Sequence, residues 1–266
     1  MNESTITVEQ IGAVRRISLN RPQARNAQSH QLLDALDAAF EDARNDSETR
    51  VVVLAAKGAH FSAGHDLKQA AAERSGFTVE ERWAFEERRY FAYCMRIWDF
   101  PKPTIAQVQG ACMAAGLMLA NMCDLIVASE DAWFSDPVTH SMGAASLEVL
   151  IHPWVLGLRK AKELLFTGAR IDAAEAKACG MVNVVATREN LERDTLALAQ
   201  KIASAPPFAM QLVKKPLNRS VEVQGLRHAL SAHFDLHQLS HVSEEYQRTT
   251  KAGLANAIAA GAKVAG

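Results

Sequence analysis

Two short glycine-containing segments are the parts of this sequence best suited to chemistry by backbone groups. Residues 61–68 read FSAGHDLK and follow an apolar run at 51–54, and residues 110–116 read GACMAAG and follow an apolar run at 104–108. Ligands of open α/β sheets collect beyond the C-terminal ends of strands, and a helix N-terminus offers N–H groups that attract negative charge. Together the two segments could form an oxyanion hole, although ordinary small-residue turns have the same spacing.

Three histidines, His233, His237 and His241, stand four residues apart and would share one face of a helix. That face could bind a metal ion, or it could be the half-exposed side of an amphipathic helix. Because no acidic motif is interleaved with the histidines, we predict no metal site. The chain also lacks the common short motifs for dinucleotide binding, phosphoryl transfer, serine hydrolysis and zinc binding.

Alternating strand and helix patterns must position these segments. Strands are predicted at 6–8, 14–19, 51–54, 104–108 and 125–128, and helices at 29–43, 79–98 and 115–122. A run that is apolar on both faces, such as 51–54, is typical of a central strand covered on two sides. This order of elements predicts an α/β fold.

The pattern changes toward the C-terminus, where helices replace strands. From about residue 191 onward no strand is predicted, so we place a boundary near Lys201, between a core of residues 1–200 and a helical region of residues 201–266. Leu226, Leu230 and Phe234 mark an apolar face in the second region. Since the core alone need not bury that face, it indicates self-association.

Composition excludes several classes of protein. The 266 residues carry 29 Lys and Arg against 30 Asp and Glu, and no basic block stands out, so we expect no nucleic-acid partner. The longest apolar stretch, 110–120, is short of the ~20 residues that span a bilayer, and we expect no membrane partner. No signal peptide is evident, and the four cysteines are widely spaced in apolar contexts. These features predict a cytoplasmic protein with reduced cysteines.

Several motifs along the chain resemble those of one enzyme family. They read LNRP and RNA at 19–27, FSAGHDL at 61–67, KPTIA at 102–106, MCD at 122–124, FSDP at 134–137, LLFTG at 164–168 and AKACGMV at 176–182. In this order they are similar to the crotonase family, the enoyl-CoA hydratase/isomerase superfamily. The resemblance implies a spiral of ββα units, a helical C-terminal trimerisation region and an acyl-CoA thioester substrate, with no cofactor beyond the CoA moiety. We expect a homotrimer or a dimer of trimers.

The resemblance also implies roles for individual residues. The main-chain N–H groups of His65 and Ala115 would form the oxyanion hole, so His65→Ala should be mild because the N–H remains. Asp66 could equally be a helix cap. The substrate-binding residues implied by the family pattern are Arg25, Ala27, Ala63, Gly64, Asp66, Leu67, Lys68, Met113, Ala114, Met118 and Val138.

The chain departs from the hydratase pattern at the two positions where family hydratases carry water-activating glutamates. Met118 and Val138 stand there, and neither side chain can transfer a proton. The segment 254–260 likewise lacks the aromatic and basic residues that reach a neighbouring subunit's CoA in the family. A simple two-glutamate hydration is therefore not expected.

A third acid/base location of the family, used by isomerases and dehalogenases, falls in residues 143–154. Glu148 is the one carboxylate of that segment. It could face the acyl group, where a dry apolar wall would raise its pKa and poise it as an acid/base, or it could be a solvated helix residue. Asp136 and His140 are weaker candidates, since Asp136 could simply stabilise a turn and His140 could only line the pocket.

These observations predict an acyl-CoA enzyme of the hydratase/isomerase type that stabilises a thioester enolate. Two alternatives stay open: an enoyl-CoA isomerase that uses Glu148, and an acyl-CoA binder without efficient catalysis. Loss of both glutamates favours the binder, whereas the retained oxyanion segments favour an enzyme.

Overall fold

The computed structural model describes residues 4–74 and 76–249. Its strands are β1 (Ile6–Ile11), β2 (Val14–Leu19), β3 (Val51–Ala56), β4 (Thr104–Val108), β5 (Ala111–Met113), β6 (Leu125–Ser129), β7 (Trp133–Ser135), β8 (Ile171–Asp172) and β9 (Val184–Ala186). They form one sheet in the order β1-β2-β3-β4-β6-β9 and a smaller one in the order β5-β7-β8.

Helices surround these sheets. They are α1 (His30–Asn45), α2 (Leu67–Arg74), α3 (Val79–Glu86), α4 (Ala92–Trp98), α5 (Ala115–Met122), α6 (Val138–Met142), α7 (His152–Leu156), α8 (Leu158–Thr167), α9 (Ala173–Ala178), α10 (Leu191–Ala203), α11 (Pro207–Glu222) and α12 (Leu226–Ser240). Together with the sheets they make the α/β fold predicted from the sequence.

The large sheet is antiparallel at its first pair and parallel beyond it. β1 and β2 form an antiparallel hairpin, and β2, β3, β4, β6 and β9 then pair in parallel. Alternate residues of β3 enter two different clusters, with Leu54 packed in the larger core that contains Leu32 and Val53 packed beside Ala199 of α10. Both faces are covered, which explains why the whole strand is apolar.

The small sheet was not predicted. β5, β7 and β8 are two or three residues long, too short to show an alternating pattern, and Ala111 pairs with Trp133 where the sequence indicated only a turn. This sheet places β5 directly before α5, so it fixes the direction in which the N-terminus of α5 points.

The predicted helix at 79–98 is helical throughout but not uniform. α3 and α4 are separated by a π-helical turn at Glu87–Phe91. α3 begins with a capping box, in which the Thr78 side chain accepts from the Glu81 N–H and the Glu81 carboxylate accepts from the Thr78 N–H. The turn matters for the site because it directly follows Glu86.

The C-terminal helices correct one expectation about self-association. Leu226, Leu230 and Phe234 are buried within the chain itself, so they do not form an exposed apolar face for self-association. Large apolar side chains are exposed elsewhere in this region, at Phe208, Leu212, Val213, Leu217, Val223, Leu236, Leu239 and Val242.

The boundary predicted near Lys201 falls in the last turn of α10. The segment 254–260 lies outside the described residues.

Among the described helices none combines the length and apolar character needed to cross a bilayer.

Candidate active site

Backbone hydrogen bonds join the two glycine-containing segments. The Ser62 N–H donates to the Ala111 carbonyl over 3.1 Å, and the Met113 N–H donates to the Ser62 carbonyl over 3.0 Å. The next residue, Ala114, donates to the Ser135 carbonyl of β7 over 2.9 Å. The segment after β3 therefore lies alongside β5, immediately before α5 begins.

Two glycines allow this close approach. A Cβ on Gly64, which has φ +97°, would lie 2.9 Å from the Ala114 Cβ and 3.2 Å from the Ala115 nitrogen. A Cβ on Gly116 would lie 2.7 Å from both the Cβ and the carbonyl oxygen of Ser62. Real Cβ atoms do not approach this closely, so each glycine is required by the packing of the other segment.

The N–H groups of His65 and Ala115 have no hydrogen-bond acceptor among the described residues, although their neighbours do. The Gly64 N–H donates to the Ser62 hydroxyl over 3.2 Å, and the Asp66 N–H donates to the Gln28 carbonyl over 3.1 Å. Ala115 is the first residue of α5, where a helix leaves its N–H groups unpaired. The two available donors thus lie on adjoining segments, one of them at a helix N-terminus.

The loop that the family pattern assigns to CoA lies against the same segment. Arg25 and Asn26 adopt positive φ angles of 50° and 52°. The Ala63 N–H donates to the Arg25 carbonyl over 3.0 Å, and the Ser62 hydroxyl donates to the Asn26 carbonyl over 2.9 Å. The structure therefore brings Arg25 and Ala63 together, and Ala27 follows in the same loop.

Asp66 is a helix cap and an ion-pair partner. Its carboxylate accepts from the Gln69 N–H in the first turn of α2 over 3.3 Å and lies 3.0 Å from the Arg21 guanidinium. This side chain therefore caps α2. Leu67 is the first residue of α2, and Lys68 beside it is exposed.

Apolar side chains occupy the two positions where family hydratases carry glutamates. Met118 lies in α5 and is almost fully buried in the main core, and Val138 opens α6 and packs against the same core. Met113 and Ala114 are partly exposed between β5 and α5. At these two described positions the chain offers no side chain that could activate water.

Glu148 lies inside the protein, in the loop between α6 and α7, and not on a solvated helix. Glu148 is 5% exposed, and its Oε1 is 3.0 Å from Nε2 of His65. The same oxygen is 3.9 Å from Nε2 of His237. The carboxylate therefore faces the side chain of the residue whose N–H is one of the two available donors.

The pKa of Glu148 moves in the direction opposite to the one expected. Burial acts to raise the pKa of this carboxyl, as an apolar wall would. The charge of His65 and its hydrogen bond, followed by the charge of His237, lower it more strongly, and the net pKa lies well below the ordinary value. Glu148 is therefore a carboxylate at neutral pH, held by an imidazole.

The His65 side chain has a role that its position in the sequence did not reveal. Its ring stacks on Tyr90 with 3.8 Å between centroids, and its Nε2 meets Glu148, which is 83 positions away along the chain. No motif links residues so far apart, so only the folded chain could show the contact. His65 combines a main-chain donor with a side chain that holds a carboxylate.

Asp136 and His140 do not join this group. Asp136 is fully buried and accepts hydrogen bonds from the Ser146 hydroxyl and the Val138 N–H, so it fixes the loop that carries Glu148. His140 contacts the Phe166 carbonyl through Nε2 over 2.9 Å. Both are structural residues in this arrangement.

A second group of ionisable side chains adjoins Glu148. Glu86, the last residue of α3, lies 3.5 Å from Nε2 of His237 and 3.9 Å from Nδ1 of His241. The third histidine of the sequence pattern, His233, contacts the Leu147 carbonyl instead, over 2.7 Å. The histidine helix therefore receives an acidic neighbour from α3, which the sequence pattern did not indicate.

Burial and neighbouring charges set the pKa values of this second group. Burial acts to raise the pKa of Glu86, but contact with His237 and His241 brings it down to about 2. Burial acts to lower the pKa of His237, but Glu86 and Glu148 raise it above the ordinary value. Burial dominates at His241 and lowers its pKa to about 4.

Comparison with known proteins agrees with this fold and arrangement. The sequence model of the family described as enoyl-CoA hydratase/isomerase matches residues 9–255, so the chain belongs to that family, the crotonase superfamily. A relative named "Putative enoyl-CoA hydratase EchA13", from Mycobacterium tuberculosis, is 45% identical over 247 residues, which cover 86% of this chain and 78% of that protein.

Two solved structures are similar over most of their length. A probable enoyl-CoA hydratase from Mycobacterium smegmatis is 46% identical, with a TM-score of 0.85, and the match covers 89% of this chain and 94% of that one. An enoyl-CoA hydratase/isomerase from Xanthobacter autotrophicus Py2 is 34% identical, with a TM-score of 0.88 and 98% coverage of both chains. The chain therefore has the fold of crotonase-superfamily enzymes.

Proposed function

We propose that this protein acts on acyl-CoA thioesters through an enolate whose oxygen is held by the N–H groups of His65 and Ala115. Both groups lack an acceptor among the described residues, and their segments are fixed against each other by backbone hydrogen bonds. A donor about 3 Å from a developing oxyanion typically contributes about 2.7–4 kcal/mol to the transition state. The arrangement suits a reaction in which the carbon next to a thioester loses a proton.

The proton is transferred by Glu148, and the observation that carries this step is the 3.0 Å contact between Glu148 and His65. That contact brings a buried carboxylate to the side chain of an oxyanion donor. In the reaction that fits one such group, a 3-enoyl-CoA loses a proton from C2 to the carboxylate, and the electron pair moves into the thioester enolate. The proton then returns to C4, and the double bond shifts from C3–C4 to C2–C3.

Hydration is disfavoured in this site. It requires an ordered water held by acid/base groups, and Met118 and Val138 supply only apolar surface. Isomerisation needs a single group that takes and returns one proton. We therefore place this protein among the isomerase-type members of its family, with Glu148 as the acid/base.

The ring of His65 positions the carboxylate. Its contact with one oxygen of Glu148 and its stacking on Tyr90 restrict the directions in which the carboxyl group can turn. The CoA portion would lie along the loop of Arg25 and Ala27 and the first turn of α2. Lys68 is exposed there and would contact a phosphate of CoA.

Two substrates distinguish the reactions. We expect slow or no loss of the conjugated-enoyl absorbance with crotonyl-CoA, and a gain of that absorbance with a 3-enoyl-CoA. Glu148→Gln should reduce turnover by about 10²–10⁴-fold, because the amide cannot take a proton. Glu130→Gln, at an exposed glutamate, is the matched control and should retain full activity. Fast hydration of crotonyl-CoA, or full activity in Glu148→Gln, would contradict the proposal.

An acyl-CoA binder without efficient catalysis is the second candidate, favoured by the replacement of both glutamates. Exchange of α-protons in deuterated water separates the two candidates. The enzyme should exchange the protons of a saturated acyl-CoA at C2, whereas a binder should bind the same thioester without exchange.

We also propose that the protein assembles as a homotrimer or a dimer of trimers through its C-terminal helices. The support is the exposure of large apolar side chains on α11, which include Phe208, Leu212 and Leu217. Light scattering at micromolar concentration should give a trimeric or hexameric mass, and a monomeric mass would contradict this.

A further inference from the structure

Glu86, His237 and His241 form a compact group of three potential metal ligands next to the Glu148–His65 pair. Their ligand atoms all lie within 4.8 Å of one another. The Glu86 carboxylate comes from the end of α3, and the two imidazoles come from adjacent turns at the end of α12. The group is buried, since the Glu86 and His237 side chains are 2% and 4% exposed and the His241 side chain is 7% exposed.

The nitrogens of this group are poorly satisfied by the protein. Neither ring nitrogen of His237 has a hydrogen-bond partner among the described residues, and the same holds for Nδ1 of His241. Buried polar atoms without partners are rare in folded proteins, and binding an ion is one way in which such nitrogens become satisfied. The separations to Glu86, 3.5 Å and 3.9 Å, are longer than good hydrogen bonds.

The Glu86 carboxylate is held in place from its other side. The Gln238 amide donates to Oε2 over 2.7 Å, and the Arg82 guanidinium lies 3.3 Å from Oε1. Such outer contacts are typical of metal-ligating carboxylates, because they fix the orientation of the ligand atom.

We propose that Glu86, His237 and His241 bind a late first-row divalent cation of the Zn²⁺ type. Two imidazoles and one carboxylate are a common ligand set for such ions, with a fourth position open to water. Ligand bonds of about 2.0–2.2 Å in a tetrahedral site place the ligand atoms about 3.4 Å apart. The two separations from Glu86, 3.5 Å and 3.9 Å, approach this value, and movement of the side chains toward one another would complete the geometry.

Charge supports the same ligand. Two carboxylates lie near Nε2 of His237: Glu86 at 3.5 Å and Glu148 at 3.9 Å. A dication at the three ligands would balance these two negative charges inside the protein. It would also fix His237, which is one of the two imidazoles beside Glu148. This revises the expectation of no metal, which considered the histidines alone and included His233, now seen to contact Leu147.

The test uses the full-length protein without a histidine tag, stripped with a chelator and then titrated with Co²⁺. We expect one equivalent to bind, with visible absorption bands of a four-coordinate site and displacement by Zn²⁺. Glu86→Gln, His237→Gln and His241→Ala should each weaken binding at least about tenfold. His228→Gln, at an exposed histidine of the same helix, is the matched control and should bind like the unmodified chain.

Two further measurements keep the test decisive if a variant fails to fold. Zn²⁺ should raise the melting temperature of the unmodified protein, and X-ray absorption of the Zn²⁺-loaded protein should show two imidazole ligands. The proposal is wrong if less than stoichiometric Co²⁺ binds at micromolar concentration. It is equally wrong if binding persists in all three ligand variants or if the bound ion has no imidazole ligands, since either result would mean an adventitious ion.

Discussion

The proposed site combines the N–H groups of His65 and Ala115 with the carboxylate of Glu148, and different parts of the chain hold them. The N–H groups are placed by two segments, each only a few residues long, and by the glycines within them. Glu148 is placed by side chains from helices and loops far apart in the sequence, including His65 and His237. The backbone half of the site can be recognised from local sequence, whereas the side-chain half exists only in the folded chain.

The largest expected effect outside Glu148 itself is at Gly64, because an added methyl group would push the two segments apart. Gly64→Ala should lower turnover by about 10²–10³-fold through loss of the oxyanion geometry. Its positive φ adds strain, so the melting temperature should also fall.

Gly76→Ala is the matched control for that change. No atom lies within 4 Å of an added Cβ there, and activity should be unchanged. Steady-state kinetics and thermal denaturation on both variants check the prediction, and a Gly64→Ala protein with full activity would show that the backbone half does not hold the oxyanion.

His65→Ala tests the link between the two halves. Because the N–H remains, the sequence alone predicts a mild effect, but the contact with Glu148 changes this expectation. We expect a loss in kcat smaller than the 10²–10⁴-fold typical of removing the acid/base itself, with little change in KM.

The same variant should shift the pH dependence of the rate. His65 lowers the pKa of Glu148, so removing it lets burial raise that pKa. A base acts when ionised, and its activity is lost as the pH falls through its pKa. The acid limb of kcat/KM should therefore move to higher pH in His65→Ala and stay in place in the control His228→Ala. An unmoved acid limb would show that His65 does not govern the carboxylate.

The predictions from sequence follow the same division as the site. α5 begins at Ala115 and ends at Met122 as predicted, because a turn and an apolar run of helical length define it locally. β3 could be predicted because its residues are apolar on both faces, and the structure buries both faces. The contact of His65 with Glu148 could not be predicted, since it depends on how the segment after β3 packs against the 143–151 loop.

The acidic neighbour of the histidines shows the same limit. His237 and His241 were correctly placed on one helix face, but Glu86 approaches from α3, 151 residues before His237 in the chain. A periodic pattern describes one element and contains no information about the element packed against it.

The smallest expected effect concerns the loop that carries Glu148. Ser146 donates a hydrogen bond to buried Asp136, and Ser146→Ala should cost about 1 kcal/mol, or a fall of about 2–4 °C in melting temperature. Ser220→Ala, at an exposed helix position, should leave the melting temperature unchanged. If Ser146→Ala lowers activity more than stability, the loop positions Glu148 as well as stabilising the fold.

The π-helical turn at Glu87–Phe91 gives the site a sensitivity to chain length. Each residue of an α-helix advances about 100° around the axis, so deleting one residue from the turn would rotate α3 by about that angle relative to α4. Glu86 would then point away from α12, with every side chain of the site still encoded. A single-codon deletion at this turn could therefore remove the acidic neighbour of His237 and His241 without a substitution at any of the three positions.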